Sequence, residues 1–125
     1  MAGLRDPVEE AMTERLSDAE FQSKAEAAIE ELERAFGDLA DDRDIDLQVE
    51  GGVLSVTFEE GEPGKFIVSP NSSAKQVWVS ARVSSFKFDW SDAAGGFVLA
   101  GKGDALKDVM TRLTREQLSD DTVSL

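Results

Sequence analysis

Residues 44–58 read DIDLQVEGGVLSVTF, with apolar and polar side chains alternating on both sides of a glycine pair. Ile45, Leu47 and Val49 fall on one side, and Asp44, Asp46, Gln48 and Glu50 on the other. Beyond Gly51 and Gly52, the apolar Leu54, Val56 and Phe58 again share one side. Successive strand residues point to opposite faces, so this spacing predicts two half-buried strands joined by a tight turn. An antiparallel hairpin here decides the fold, because the rest of the chain repeats the device.

Downstream, EEGEPG (59–64) turns the chain into KFIVS (65–69), and SPNSS (69–73) reads as the next turn. In KQVWVSA (75–81), Val77, Val79 and Ala81 oppose Gln76, Trp78 and Ser80, which sets a tryptophan among the polar side chains. SFKFDW (85–90) places Phe86, Phe88 and Trp90 opposite Lys87 and Asp89, and GFVLA (96–100) is one more short strand. Upstream, Ser17 followed by Glu20 forms a capping-box pattern. Phe21, Ala25, Ala28, Ile29, Leu32, Phe36 and Leu39 then recur at helical spacing, which predicts a helix over roughly 18–39. At the other end, Gly103 or Asp104 can cap a helix carrying Leu106, Val109, Met110, Leu113 and Leu118, with Gln117 interrupting the stripe. No segment between strands is long enough for a parallel crossover. The expected class is α+β: a two-layer α-β sandwich with N- and C-terminal helices on one face of a mostly antiparallel sheet of about five to six strands.

The chain has 125 residues, enough for one domain with a modest core. It contains no cysteine and no histidine, which removes disulfides, thiolate chemistry and the commonest general base and metal ligand. A non-enzymatic role is therefore expected. No apolar run approaches the ~18 residues of a membrane span, and the N-terminal residues lack the signature of a signal or transit peptide. The expected location is the cytoplasm, or the mitochondrial matrix if the source is a eukaryote.

The net charge is −13, and it is unevenly placed. Residues 1–62 hold 19 acids against 5 bases, whereas 63–125 hold 7 against 8. Uniform salt adaptation would not stop halfway along the chain. Such a field repels nucleic acid and anionic membranes and attracts cations or a basic protein surface. Its densest part is DLADDRDID (38–46), with five aspartates in nine residues at a helix C-terminus, where the macrodipole already disfavours anions. Glu26, Glu30 and Glu33 add a stripe on the helix side opposite Phe21.

Asp42, Asp44 and Asp46 imitate the opening of an EF-hand loop, but Leu47 and Val53 stand where that loop needs Gly and Glu. Neighbours on one strand face lie roughly 6.6 Å apart, too far to cage one ion. Any metal would be held by one or two carboxylates plus water, a donor set favouring hard cations and accepting Fe(II) at low affinity. The same row suits a docking surface for a partner's lysines and arginines. A two-carboxylate hydrolase fits poorly, because it wants one carboxyl in an apolar pocket. EGG, AAGG and GKG lack phosphate-loop spacing, so Lys102 is no Walker lysine. Trp78 lies on the face the helices leave open and reads as an interface anchor, whereas Trp90 shares a face with Phe86 and Phe88 and reads as core.

Together these pieces resemble the frataxin family, from about Glu20 to Leu113. DIDLQVEGGVLSVTFEEG is similar to the family's acidic first strand, hairpin and second strand. KQVWVSA is similar to its most characteristic stretch, FKFDW to the following strand, and GDALKDVM to the start of its last helix. Ala74 stands where mitochondrial members carry Asn. The resemblance implies an α-β sandwich and an iron-dependent role in regulating iron-sulfur cluster assembly, through contact with the cysteine desulfurase and the scaffold protein. It implies weak, exchangeable iron (Fe2+/Fe3+) on an acidic ridge of Glu26, Glu30, Glu33, Asp38, Asp41, Asp42, Asp44 and Asp46. It further implies partner binding through Lys75, Gln76 and Trp78, with no nucleic acid and no membrane. A monomer is expected, with oligomers driven by metal. The alternative is a weak divalent-cation buffer or iron donor with no obligate partner. The chain then divides into a mobile leader (1–16), a frataxin-like domain (17–118) and a C-terminal tail (119–125).

Overall fold

A computed structural model describes residues 16–125, so the expected leader lies, Leu16 apart, outside the described residues. Helix α1 spans Asp18–Ala40. Ser17 caps it in a full box, its side chain accepting from Glu20 N at 3.1 Å while Glu20 Oε1 accepts from Ser17 N at 3.2 Å. The helical stripe read from the sequence is the buried one: Phe21, Ala25, Ile29, Leu32 and Phe36 are all within 4% of full burial.

Six strands follow: β1 (Ile45–Glu50), β2 (Val53–Phe58), β3 (Gly64–Asn71), β4 (Gln76–Ala81), β5 (Ser84–Ser91) and β6 (Gly96–Leu99). They pair in chain order, each antiparallel to the next, as an open meander. Helix α2 (Leu106–Leu118) completes the helical layer. Both helices cover one sheet face, and the core between the layers is built on Phe21, Phe36, Phe58, Phe66 and Phe88, with Leu54, Val56, Val68, Val77 and Val79 beside them. Phe58 meets Phe66 edge-on at 4.7 Å between ring centroids, and Phe36 meets Phe58 at 6.5 Å.

Several local expectations need correcting. The stretch read as a turn at 69–73 is strand as far as Asn71: Pro70 pairs with Val77, beyond the point where the β2 partnership ends at Leu54–Val68. A proline is tolerated there because that part of β3 has a neighbour on one side only. Helix α2 is capped at Ala105, without a side-chain cap, rather than at Gly103 or Asp104. The Asp104 carbonyl instead accepts from Leu99 N at 2.7 Å, which ties the loop back to β6. Residues after α2 pack on the domain: Val123 is buried, and its carbonyl accepts from Arg115 Nε at 2.7 Å. Trp90 is half-buried at the sheet rim, edge-on to Phe97 at 5.4 Å between ring centroids, with its Nε1–H donating to Asp92 at 2.7 Å.

The residue that breaks the α2 stripe is buried for a reason. Gln117 donates from Nε2 to the Glu62 carbonyl at 2.8 Å and accepts at Oε1 from Arg82 at 3.0 Å. It sits against Gly64 so closely that a Cβ there would lie 2.6 Å from Gln117 Nε2. A larger residue there would have to push the Gln117 amide aside.

Candidate functional site

The eight acidic residues lie on α1, on the connection after it and on β1, the first strand of the sheet. Glu26, Glu30, Glu33 and Asp38 belong to α1, Asp41 is its C-cap, Asp42 and Asp44 lie in the connection, and Asp46 is on β1. Asp44 precedes the strand by one residue, although its carbonyl still accepts from Glu59 N at 3.1 Å. All eight side chains are exposed. A Cβ built on Gly37 would lie 4.0 Å from Leu47 Cδ1, so the end of α1 passes over β1.

Among the described residues none of the eight forms an ion pair; the pairs present are Arg43 with Glu60 and Asp120, Lys75 with Asp18, Lys107 with Glu31 and Arg112 with Asp104. Glu26 accepts from Gln22 Nε2 at 3.0 Å. No basic residue occupies the last turn of α1. The acids at the end of α1 thus stand against the helix dipole with no cation in that turn. Nor do three acidic side chains converge into a preformed ligand set among the described residues.

Arg43, the cation inside this acidic run, serves elsewhere. Its Nε donates to Glu60 Oε2 at 2.7 Å, its NH2 pairs with the same carboxylate, and its NH1 donates to Asp120 Oδ2 at 2.8 Å. The hydrogen bond to Glu60 raises the Arg43 pKa, and the same bond holds the Glu60 carboxyl below the usual range. Asp120 is lowered first by the Thr122 hydroxyl and backbone N–H, and then by Arg43. One half-buried guanidinium therefore fastens the α1–β1 connection, the β2–β3 loop and the segment after α2 together.

The second candidate surface is the uncovered sheet face. Trp78 is 37% exposed at its centre, and Ile67 is 36% exposed on the neighbouring strand. Trp78 Nε1 donates to Gln76 Oε1 at 3.0 Å, Gln76 Nε2 donates to Asp89 Oδ1 at 2.9 Å, and Lys87 Nζ stands 4.9 Å from the Trp78 ring centroid. The indole is held by a chain of polar contacts rather than by packing beneath it, an arrangement suited to presenting it. Ser69, Ser80 and Ser85 leave a shallow depression of about 140 Å³ around it.

Lys75 does not belong to this surface. It sits in the β3–β4 turn at φ 55°, and its Nζ crosses to the helical layer to pair with Asp18 at the start of α1. That contact lowers the Asp18 pKa, chiefly through the hydrogen bond. Lys75 lies in the turn before β4, so the alternation that turns Gln76 outward does not set its direction. Lys87, Asp89 and Ile67 complete the face, and their cross-strand register with Trp78, Gln76 and Ser80 was the missing signal.

Residues 14–120 match the family model described as a frataxin-like domain. A protein of Azotobacter vinelandii named iron-sulfur cluster assembly protein CyaY is 34% identical over 106 residues, covering 85% of this chain and 93% of its own. The protein of the same name from Pseudomonas aeruginosa is 35% identical over 106 residues, covering 85% and 94%. Among solved structures, a frataxin from Psychromonas ingrahamii superposes with a TM-score of 0.74 at 21% identity, over 87% of this chain and 97% of that one. The fold is shared with that protein: two helices on one face of an antiparallel meander.

Proposed function

This chain belongs to the frataxin-like family, and from that premise we propose that it serves in iron-sulfur cluster assembly, as the names of its relatives state for them. In this reading it is an accessory protein rather than a catalyst. It meets iron and a basic partner surface through the ridge of Glu26, Glu30, Glu33, Asp38, Asp41, Asp42, Asp44 and Asp46, and meets a second partner through Gln76 and Trp78. The cysteine desulfurase is the expected ridge partner and the scaffold protein the expected partner of the sheet face.

The observation that carries the reading is the row of eight exposed carboxylates with no ion pair among the described residues. A surface charged for solubility alone mixes signs, whereas residues 26–46 hold nine acids against two bases. Such a row raises the association rate of a positively charged partner and fixes its orientation. Iron fits as cargo rather than as a resident cofactor: the donors are all carboxylates, they are exposed, and no three of them converge. One or two carboxylates plus water would hold the ion, which suits exchange over storage. Trp78 supports the second surface, because a large aromatic ring exposed among serines has the composition of an interface anchor.

The test is charge reversal. A variant with Asp38, Asp42, Asp44 and Asp46 all changed to lysine is expected to lose desulfurase binding in a pull-down and to lose Fe(II)-induced NMR line broadening along α1 and β1. Retained binding with a folded spectrum would refute the reading.

A further inference from the structure

The flank of α1 away from the ridge carries a feature that the proposed function leaves unused. At about 100° per residue, Lys24, Ala27 and Glu31 lie on the opposite side of the buried stripe from Glu26, Glu30 and Glu33. With the β5–β6 turn and the start of α2 they enclose an open cavity of about 550 Å³, within the size range of small-molecule sites. It exists because Ala27, Ala28, Gly96 and Ala105 present a methyl group or less where larger side chains would close it. Behind them lie Leu32, Trp90, Phe97 and Leu106.

Two ammonium groups edge this apolar space. Lys24 Nζ sits 4.2 Å from the Trp90 ring centroid and forms no ion pair among the described residues. Lys107 Nζ makes only a long contact of 3.7 Å to Glu31, with both side chains about half exposed. Glu31 on the rim and Asp92, which accepts from the Trp90 Nε1–H at 2.7 Å, bring two carboxylates near these ammonium groups, on a protein whose net charge is −13.

We propose that this cavity is a binding site for a small amphipathic monoanion, an aromatic or short aliphatic carboxylate. Its apolar body would lie between Trp90 and the alanines of α1, and its carboxylate would meet Lys24. The cation over the indole is what selects the charge: it is already desolvated on its ring side and, among the described residues, pairs with no carboxylate. A second carboxylate on the ligand would face Glu31, which limits the ligand to one.

The probe is 4-phenylbutanoate, titrated into the full chain and followed by proton–nitrogen correlation NMR, with Trp78 on the opposite face as internal control. Saturable shifts of the Trp90 indole and the Gly95 and Gly96 amides are expected, with the Trp78 indole still. The neutral 4-phenylbutanamide is expected to bind about three-fold more weakly, the worth of an exposed charge pair, and Lys24→Gln should remove that difference. Ala27→Leu, an exposed substitution that projects into the cavity, should weaken both probes. No saturable shift by about 10 mM, a range that already includes millimolar affinity, would overturn the proposal. So would equal affinity for acid and amide, parallel movement of both indoles, or unchanged binding in a folded Ala27→Leu variant.

Discussion

Replacing Asp38, Asp41 and Asp42 together by asparagine is expected to stabilise the protein while impairing its ridge. Asp38 lies in the last turn of α1, Asp41 is the C-cap and Asp42 follows it, with no basic residue in that turn. An anion so placed costs about 0.3–0.5 kcal/mol against the helix dipole, so three amount to roughly 1–1.5 kcal/mol at low ionic strength. Asparagine keeps the shape and nearly the helix propensity of aspartate, so the difference isolates charge. In a domain of this size that gain moves the melting temperature by roughly 4–10 °C. Circular dichroism melts at about 10 mM and about 500 mM salt provide the assay, because the shorter screening length at high salt should shrink the gain. Millimolar Mn2+ should raise the wild-type midpoint more than that of the variant, since it binds the folded ridge in preference to the unfolded chain. A variant no more stable at low salt, or equally stabilised at both salt levels, would refute the account of the ridge as uncompensated charge.

Other expectations follow from the same geometry. Trp78→Ala should leave the melting temperature nearly unchanged, because the indole is 37% exposed and lies outside the core, yet weaken binding of a sheet-face partner by at least ten-fold in isothermal titration. Gly64→Ala should cost about 1–3 kcal/mol in urea denaturation by displacing the Gln117 amide from its two hydrogen bonds, and Gln117→Ala in the same chain should recover part of that loss. The lowered carboxyls of Glu60 and Asp120 contribute stability that is present above their unfolded pKa values and lost as pH falls through the lower folded ones. The protection factor of the Val123 amide, its exchange rate relative to the intrinsic rate at the same pH, should therefore fall below about pH 4, near the carboxylate reference values, and Arg43→Gln should flatten that dependence.

The meander and the buried face of α1 were legible because period-two and helical spacing report which side chains leave water, and nearly all the apolar positions they mark are core. Val49 is the exception: it keeps the phase of Ile45 and Leu47 but is 46% exposed, because β1 is an edge strand and its end runs past the cover of the helix. The eight ridge acids could be located in the sequence because exposed charge needs no partner. Lys75 was misplaced because its direction depends on a turn residue with positive φ and on a carboxylate 57 positions away. Gln117 announced itself only as a break in an apolar stripe, and its partners, Glu62 and Arg82, come from two different loops. Alternation and spacing carry no information of that kind.

Because the strands pair strictly in chain order, the sheet asks the folding chain to close only short loops, each of which carries a small entropic cost. The Arg43–Asp120 contact is different in kind, joining residues 77 positions apart. In time rather than space, it belongs to the end of folding: the meander can zip and the helices can dock before the segment after α2 is fastened. The same contact is the natural place for the native molecule to open first, releasing residues 119–125 while the sheet stays closed.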